Sequence, residues 1–264
     1  MITSLTNPHV KHVKRLHSQK GRRQARRLII EGLRLVEEAL RADTLPALMF
    51  YTPRLEDSER GQALLDLAEN SAVQLMLVSE RVMLTMATTK APQSVLAVLP
   101  WPVLPWPEHP ALLLILDRLR DPGNLGSVLR AAEAACVDGV LLTPGSVDAY
   151  NPKTVRGGMG AHFRLALRTA SWHEVKKLTE GLQVWLAEIR GGLPYYEVDW
   201  SLPSALIIGS EAEGASSEAQ RLTNRRVSIP MPGQAESLNA AVAAGIILFE
   251  AARQRSFAQK PLLC

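Results

Sequence analysis

Residues 111–130 read ALLLILDRLRDPGNLGSVLR, and this stretch decides the fold class. The apolar run Ala111–Leu116 is strand-like, and strong turn chemistry follows at Asp121-Pro122-Gly123-Asn124. Beyond the turn, Leu125, Val128, Leu129 and Ala132 recur at helical spacing, with Arg130 off that stripe. The same grammar repeats downstream. Apolar runs at Gly139–Thr143, Gln183–Glu188, Ala205–Gly209 and Arg226–Pro230 alternate with helical patterns at 125–136, 171–181, 216–224 and 238–254. Such alternation predicts an α/β fold: a mostly parallel sheet with helices on both faces.

Upstream the organisation changes. Pro100–Pro110 (PWPVLPWPEHP) holds five prolines, which fix φ and donate no hydrogen bond. It reads as a semi-rigid linker, with Trp101 and Trp106 free to pack on either side. Residues 1–99 then form a smaller α/β sandwich. Its helices are expected at Asn7–Ser18, Glu31–Ala42 and Glu59–Glu69, and its strands at Leu28–Ile30, Ala47–Tyr51, Gln74–Val78 and Ser94–Leu99.

Composition sets the remaining bounds. The chain has 264 residues, 47% hydrophobic and 21% charged, as ordinary globular domains do. Its longest apolar runs, Ala111–Leu116 and Ala240–Phe249, are too short to span a bilayer. The first residues lack the apolar core of a signal peptide, so a cytoplasmic location is expected. Two cysteines, Cys136 and Cys264, with no CxxC and no His/Cys cluster, argue against structural zinc, and no metal is implied. The net charge of +4 is unevenly spread: Lys11, Lys14, Arg15, Lys20, Arg22, Arg23, Arg26 and Arg27 precede the first acid, Glu31. That density points to a polyanion with a phosphate backbone, with a solvated helix face as the alternative and acidic membrane lipid as a weaker one, since the stretch lacks an aromatic apolar face.

Three blocks concentrate polar side chains where strands hand over to helices, the place where α/β sheets bind ligands. The first is Asp117–Arg130. Within it Asn124 offers both donor and acceptor, and Arg130 offers a planar fork suited to phosphate. The second is Gly209–Gly214 (GSEAEG), whose Glu211 and Glu213 would repel a pyrophosphate but suit a cationic, donor-rich ligand such as S-adenosylmethionine. The third is Ile229–Asn239 (IPMPGQAESLN), where Ser237 is a candidate N-cap for a helix from Leu238. Asn151–Gly160 (NPKTVRGGMG) reads either as a loop shaped by glycines or as a plain connector.

In the same order, these three blocks resemble the signature motifs of the SpoU/TrmH family of RNA ribose 2'-O-methyltransferases. The resemblance implies that Asn124, Arg130, Glu211, Ser237 and Asn239 form the catalytic constellation. It also implies that the main chain at Gly209, Ile229 and Leu238 holds S-adenosylmethionine. The family's third motif commonly reads SLNVS; here Ala240 and Ala241 follow Asn239. The segment KGRRQARRLIIEGLRLVEEAL (residues 20–40) resembles the L30e-like RNA-binding domain that often precedes the methyltransferase domain. Lys20, Arg22, Arg23, Arg26 and Arg27 would then bind rRNA or tRNA. The family also implies a C-terminal trefoil knot and a homodimer through the C-terminal domain, whose last helix carries apolar residues around most of its circumference. Arg130 is often given the role of base in family schemes. A guanidinium resists deprotonation, so charge stabilisation suits it better, leaving a phosphate oxygen, a water or Glu211 as proton acceptor. An RNA-binding scaffold without turnover would have no need of Asn124, Arg130 and Glu211 together, and base methylation would call for a different polar set.

Overall fold

A computed structural model describes residues 1–89, 91–211 and 213–258. They divide into two compact units. One comprises Met1–Val103 with Asp148–Phe163, the other Leu104–Val147 and the residues from Arg164 onward. The division thus falls inside the proline-rich stretch. A segment from the middle of the later sequence belongs to the first unit.

The first unit is built on four strands, β1 (Arg27–Glu31), β2 (Leu48–Tyr51), β3 (Leu75–Leu77) and β4 (Val95–Pro100), in the order β1-β4-β2-β3. β4 runs antiparallel to both its neighbours, and β3 is parallel to β2. Pro100 takes the last position of β4, where a missing N–H costs the ladder least. The helices α1 (Pro8–Arg15), α2 (Gln19–Ala25), α3 (Leu33–Arg41), α4 (Glu59–Asn70) and α5 (Glu80–Met86) accompany them. Alternate residues feed opposite faces. Leu28 and Ile30 join the α3/α4 side, while Ile29 joins Val10, Val13 and Met83 of α1 and α5. Burial on both faces explains why β1 and β4 read as continuous apolar runs.

Sequence spacing shows neither α2 nor α5. α2 lies in the basic run, and it corrects one expectation. Arg22 is 2% exposed and cannot meet RNA as placed. Its Nη2 and Nε donate to Asp148 Oδ2 (2.7 and 3.1 Å), and Nη1 donates to the carbonyls of Leu16 and His17 (2.9 and 2.7 Å). A buried guanidinium must be paired and saturated with acceptors, and this one is. Lys20, Arg23 and Arg26 remain exposed, and Arg27 is half-buried.

The second unit holds a seven-stranded sheet, order β7-β6-β5-β10-β8-β11-β9, with every neighbouring pair parallel. Its strands are β5 (Leu112–Leu116), β6 (Gly139–Leu142), β7 (Ala166–Thr169), β8 (Gln183–Glu188), β9 (Leu193–Pro194), β10 (Ser204–Ile208) and β11 (Arg226–Ser228). Its first helix is α6 (Pro122–Ala134); α7 is the segment that belongs to the first unit (Pro152–Gly158), and α8 (Trp172–Leu178), α9 (Ser217–Leu222) and α10 (Ala240–Ala258) complete the second. β5 and β10 are buried at every residue, as doubly covered parallel strands must be. Trp106 seats on Gly139, where a Cβ would lie 2.8 Å from the indole ring, so the linker's second tryptophan docks on this unit. Among the described residues, no helix is long and apolar enough to cross a membrane.

α7 is opened by Asn151, whose side chain accepts from Lys153 N–H, and by Pro152 at the first turn. Asn-Pro was the available signal for this helix, which is neither a plain connector nor a glycine loop. Nearby, Trp101 stacks on Tyr150 at 4.5 Å. His162 is buried with Nε2 2.7 Å from the Ala149 carbonyl, and Nδ1 has no partner. Burial pushes its pKa down to about 4, against the pull of the Ala149 carbonyl and Asp148. Between pH 6.5 and about 4 the unfolded chain holds a proton on this imidazole that the folded chain does not. Stability therefore falls as pH drops through that window, by roughly 3 kcal/mol in all, and is complete above it. Urea unfolding should show His162→Gln losing less stability than wild type between pH 7 and pH 4; equal losses would refute this.

Candidate active site

The carboxyl ends of β5, β10 and β11 deliver the three polar blocks to one place. Asp121 caps α6, its Oδ1 accepting from Asn124 N–H (2.8 Å), and Pro122 takes the first turn, where its missing N–H costs nothing. The Asn124 side chain then donates to Glu211 Oε1 (2.7 Å) and accepts from Asn239 Nδ2 (2.9 Å). Asn239 Oδ1 accepts in turn from Ala241 N–H (2.9 Å). Because that last donor is a main-chain N–H, it fixes the orientation of the Asn239 amide, and each amide fixes the next. One directed relay thus joins all three blocks and holds the Glu211 carboxylate.

The cap of α10 is therefore Asn239, and the expectation of a Ser237 cap is corrected. Asn239 supplies both the side-chain acceptor for Ala241 N–H and the carbonyl for Ala243 N–H. Ser237 lies outside the helix, exposed, on the wall of the cavity.

The loop after β10 is held at several points. Gly209 is required by close approach: a Cβ there would sit 2.7 Å from the main chain of Gly214 and Ala215. Ser210 and Gly214 exchange both main-chain hydrogen bonds (3.0 and 2.9 Å). Glu213 is anchored by Arg118 (3.0 Å) and Arg120 (2.8 Å). Asp117, fully buried, accepts from Ser216 N–H (2.6 Å) and from the Thr143 hydroxyl (3.1 Å). Sequence reasoning passed over Asp117, Arg118 and Arg120. An acid immediately after an apolar strand was the signal.

These loops wall a cavity of about 740 Å³, within the range of small-molecule sites. Asn124, Gly209, Glu211, Ile229, Ser237, Leu238 and Asn239 all line it. Arg130 does not: it stands exposed on α6. Of the carboxylates on the wall, Glu213 and Glu188 are paired with arginines and Glu211 accepts from Asn124, while Arg190 also lines the cavity, so the wall offers both charges and several acceptors to a polar ligand.

Residues 111–249 match the model of the SpoU rRNA Methylase family, and residues 7–97 match the MRM3-like substrate binding domain. The chain belongs to the SpoU rRNA methylase family. An uncharacterized tRNA/rRNA methyltransferase of Synechocystis is 38% identical, covering 98% of this chain and 96% of its own. The 23S rRNA (guanosine(2553)-2'-O)-methyltransferase RlmP of Bacillus subtilis is 35% identical over 94% of this chain and 97% of its own. The AdoMet-bound rRNA methyltransferase of Sinorhizobium meliloti superposes with a TM-score of 0.82 at 32% identity, covering 96% of this chain and 97% of that one. This protein is an S-adenosylmethionine-dependent RNA ribose 2'-O-methyltransferase, and the family membership expected from the three motifs holds.

Proposed function

We propose that the cavity between the β5, β10 and β11 loops is the cofactor site. The main chain at Gly209, Ile229 and Leu238 would hold the adenosyl group, and the Asn239–Asn124–Glu211 relay would face the reacting ribose. The observation that carries this reading is the relay itself, which ties the polar residues of three distant segments into one wall of the cavity. When bound, S-adenosylmethionine supplies the electrophilic methyl. The protein's part is to align the 2'-hydroxyl, which is worth several kcal/mol of barrier, and to stabilise charge as the hydroxyl loses its proton. Arg130 serves the second purpose from outside the cavity, with Ser237 positioning groups beside it. rRNA is the substrate class favoured by the matched substrate-binding domain and by the Bacillus relative's specificity, and a cytoplasmic location accords with such a substrate. Labelled S-adenosylmethionine with RNA from cells lacking the protein should give alkali-resistant dinucleotides, because a methylated 2'-oxygen cannot attack the adjoining phosphate.

Family membership also supports an L30e-like first unit and a trefoil knot in the second. Lys20, Arg23, Arg26 and Arg27 are the basic side chains left to meet RNA once Arg22 is set aside. Neutralising these four should flatten the salt dependence of RNA binding, by roughly 0.7 log units for each single-strand phosphate they would otherwise neutralise. An unchanged slope would mean a merely solvated face.

A homodimer through the second unit is supported by α10. That helix buries Ala240, Ala244, Ile247, Leu248 and Ala251 but leaves Val242 50% and Phe249 52% exposed, two turns apart on one face. Light scattering should report a dimer for the full chain and a monomer for Val242→Asp/Phe249→Asp. A folded wild-type monomer at micromolar concentration would refute the dimer.

A further inference from the structure

Ser210 is the second residue of GSEAEG. It lines the cavity and is 6% exposed. Three serines are buried among the described residues: Ser204, Ser210 and Ser216. The Ser204 hydroxyl donates to the Leu202 carbonyl (2.7 Å), and the Ser216 hydroxyl accepts from Ala219 N–H (3.2 Å). Ser210 Oγ has no partner in the protein. Among the described residues, the other buried polar side-chain atoms without a hydrogen bond are on Thr52, Arg118, His162 and Trp185, and none of these residues lines the cavity.

A buried hydroxyl without a partner is unfavourable, and native folds rarely retain one that serves nothing. Alanine at 210 would keep the main-chain pairing with Gly214 and remove the unpaired atom. The main chain at this position is fixed. Both main-chain groups of Ser210 are bonded to Gly214, and Gly209 before it is packed against the returning loop. Ser210 is thus held on the cavity wall, beside Glu211, which the relay has fixed.

We infer that Ser210 Oγ is a cofactor-contacting group whose hydrogen bonding is completed by bound S-adenosylmethionine. The inference rests on the assignment of this cavity to the cofactor. A hydroxyl both donates and accepts, so it can meet either a ribose hydroxyl or the amino-acid end of the molecule.

The test is Ser210→Ala in the full-length protein, with S-adenosylmethionine affinity measured by titration calorimetry and melting temperature measured with and without cofactor. Affinity should fall roughly ten-fold, as for one lost hydrogen bond to a polar or charged group. The cofactor-free melting temperature should hold or rise, since the unpaired atom is gone, and the cofactor-induced increase should shrink. A purely structural serine would show the reverse: a lower cofactor-free melting temperature and unchanged affinity. Wild-type affinity in Ser210→Ala would overturn the inference. Methylthioadenosine, which lacks the amino-acid half, locates the bond. A penalty that persists with it places the partner on the nucleoside, and one that vanishes places it on the amino acid. Failure of the cavity assignment would look different, because Gly209→Val, which blocks the strand end, would then bind cofactor as wild type does.

Discussion

Arg130→Ala is expected to cut single-turnover methylation by two to three orders of magnitude, roughly the effect of removing one charge-stabilising group from a reacting centre. S-adenosylmethionine affinity should stay within a few-fold of wild type. The separation follows from placement. Asn124 opens α6 and lines the cavity, whereas Arg130, about 9 Å further along the helix axis and turned to another face, does not. An exposed guanidinium off the cavity wall has nothing to contribute to holding the cofactor there. On the proposed function it meets RNA instead, where its fork would fit a phosphate or a developing alkoxide. Arg130→Lys should recover little, because an ammonium offers a point charge in place of two parallel donors. Rapid-quench measurements at saturating cofactor and RNA, paired with calorimetric titration, distinguish the outcomes. A near-normal rate in Arg130→Ala would remove it from the chemistry. A large loss of cofactor affinity would mean that the cavity is built differently.

The sheet was readable because fully buried parallel strands leave a compositional trace that half-buried ones do not. LLLIL at β5 and the apolar run at β10 are too short for a buried helix and are bounded by turn residues, so they read as buried strands. Short elements leave no such trace. α2 is a charged helix whose one buried residue is Arg22, so neither period nor hydropathy marks it. Arg22 also shows the limit of reading charge. Its neighbours in sequence are exposed cations, and the partner that neutralises it is Asp148, 126 positions away. The site divides the same way. The polar blocks were visible as motifs, but which of Ser237 and Asn239 caps α10 depends on a relay that runs through Asn124. That pairing spans 115 positions. Arg130 illustrates the converse: helical spacing put it off the apolar stripe, and it is off the cavity as well.

Asp117→Ala is expected to destabilise the second unit by roughly 2–5 kcal/mol, the cost of leaving two buried donors without their acceptor. Asp117 is fully buried at the end of β5. Its two oxygens hold two different segments: Oδ2 takes the Ser216 N–H at the start of α9, and Oδ1 takes the Thr143 hydroxyl beyond β6. Ser216 is 6% and Thr143 1% exposed, so water cannot replace what is removed. Arg118 Nε, 3.7 Å from Oδ1, loses a nearby countercharge as well. Among the described residues, the loop from Gly209 to Ser216 would then be tied to the β5 loop through Glu211 and Glu213, both of which are exposed. Cofactor affinity should fall with stability, since the loop that carries Gly209 and Ser210 loses its buried anchor. Asp117→Asn should cost less, because one oxygen survives. Its amide nitrogen cannot accept from Ser216 N–H, so if the retained oxygen faces Thr143, cofactor affinity should fall more than stability does. Arg118→Gln acts at a position only partly buried and should change stability by about 1 kcal/mol or less. Denaturant unfolding with and without S-adenosylmethionine measures both quantities. Asp117→Ala within 1 kcal/mol of wild type, with cofactor binding intact, would show that the loop is held by its own main-chain pairing and that this carboxylate anchors nothing.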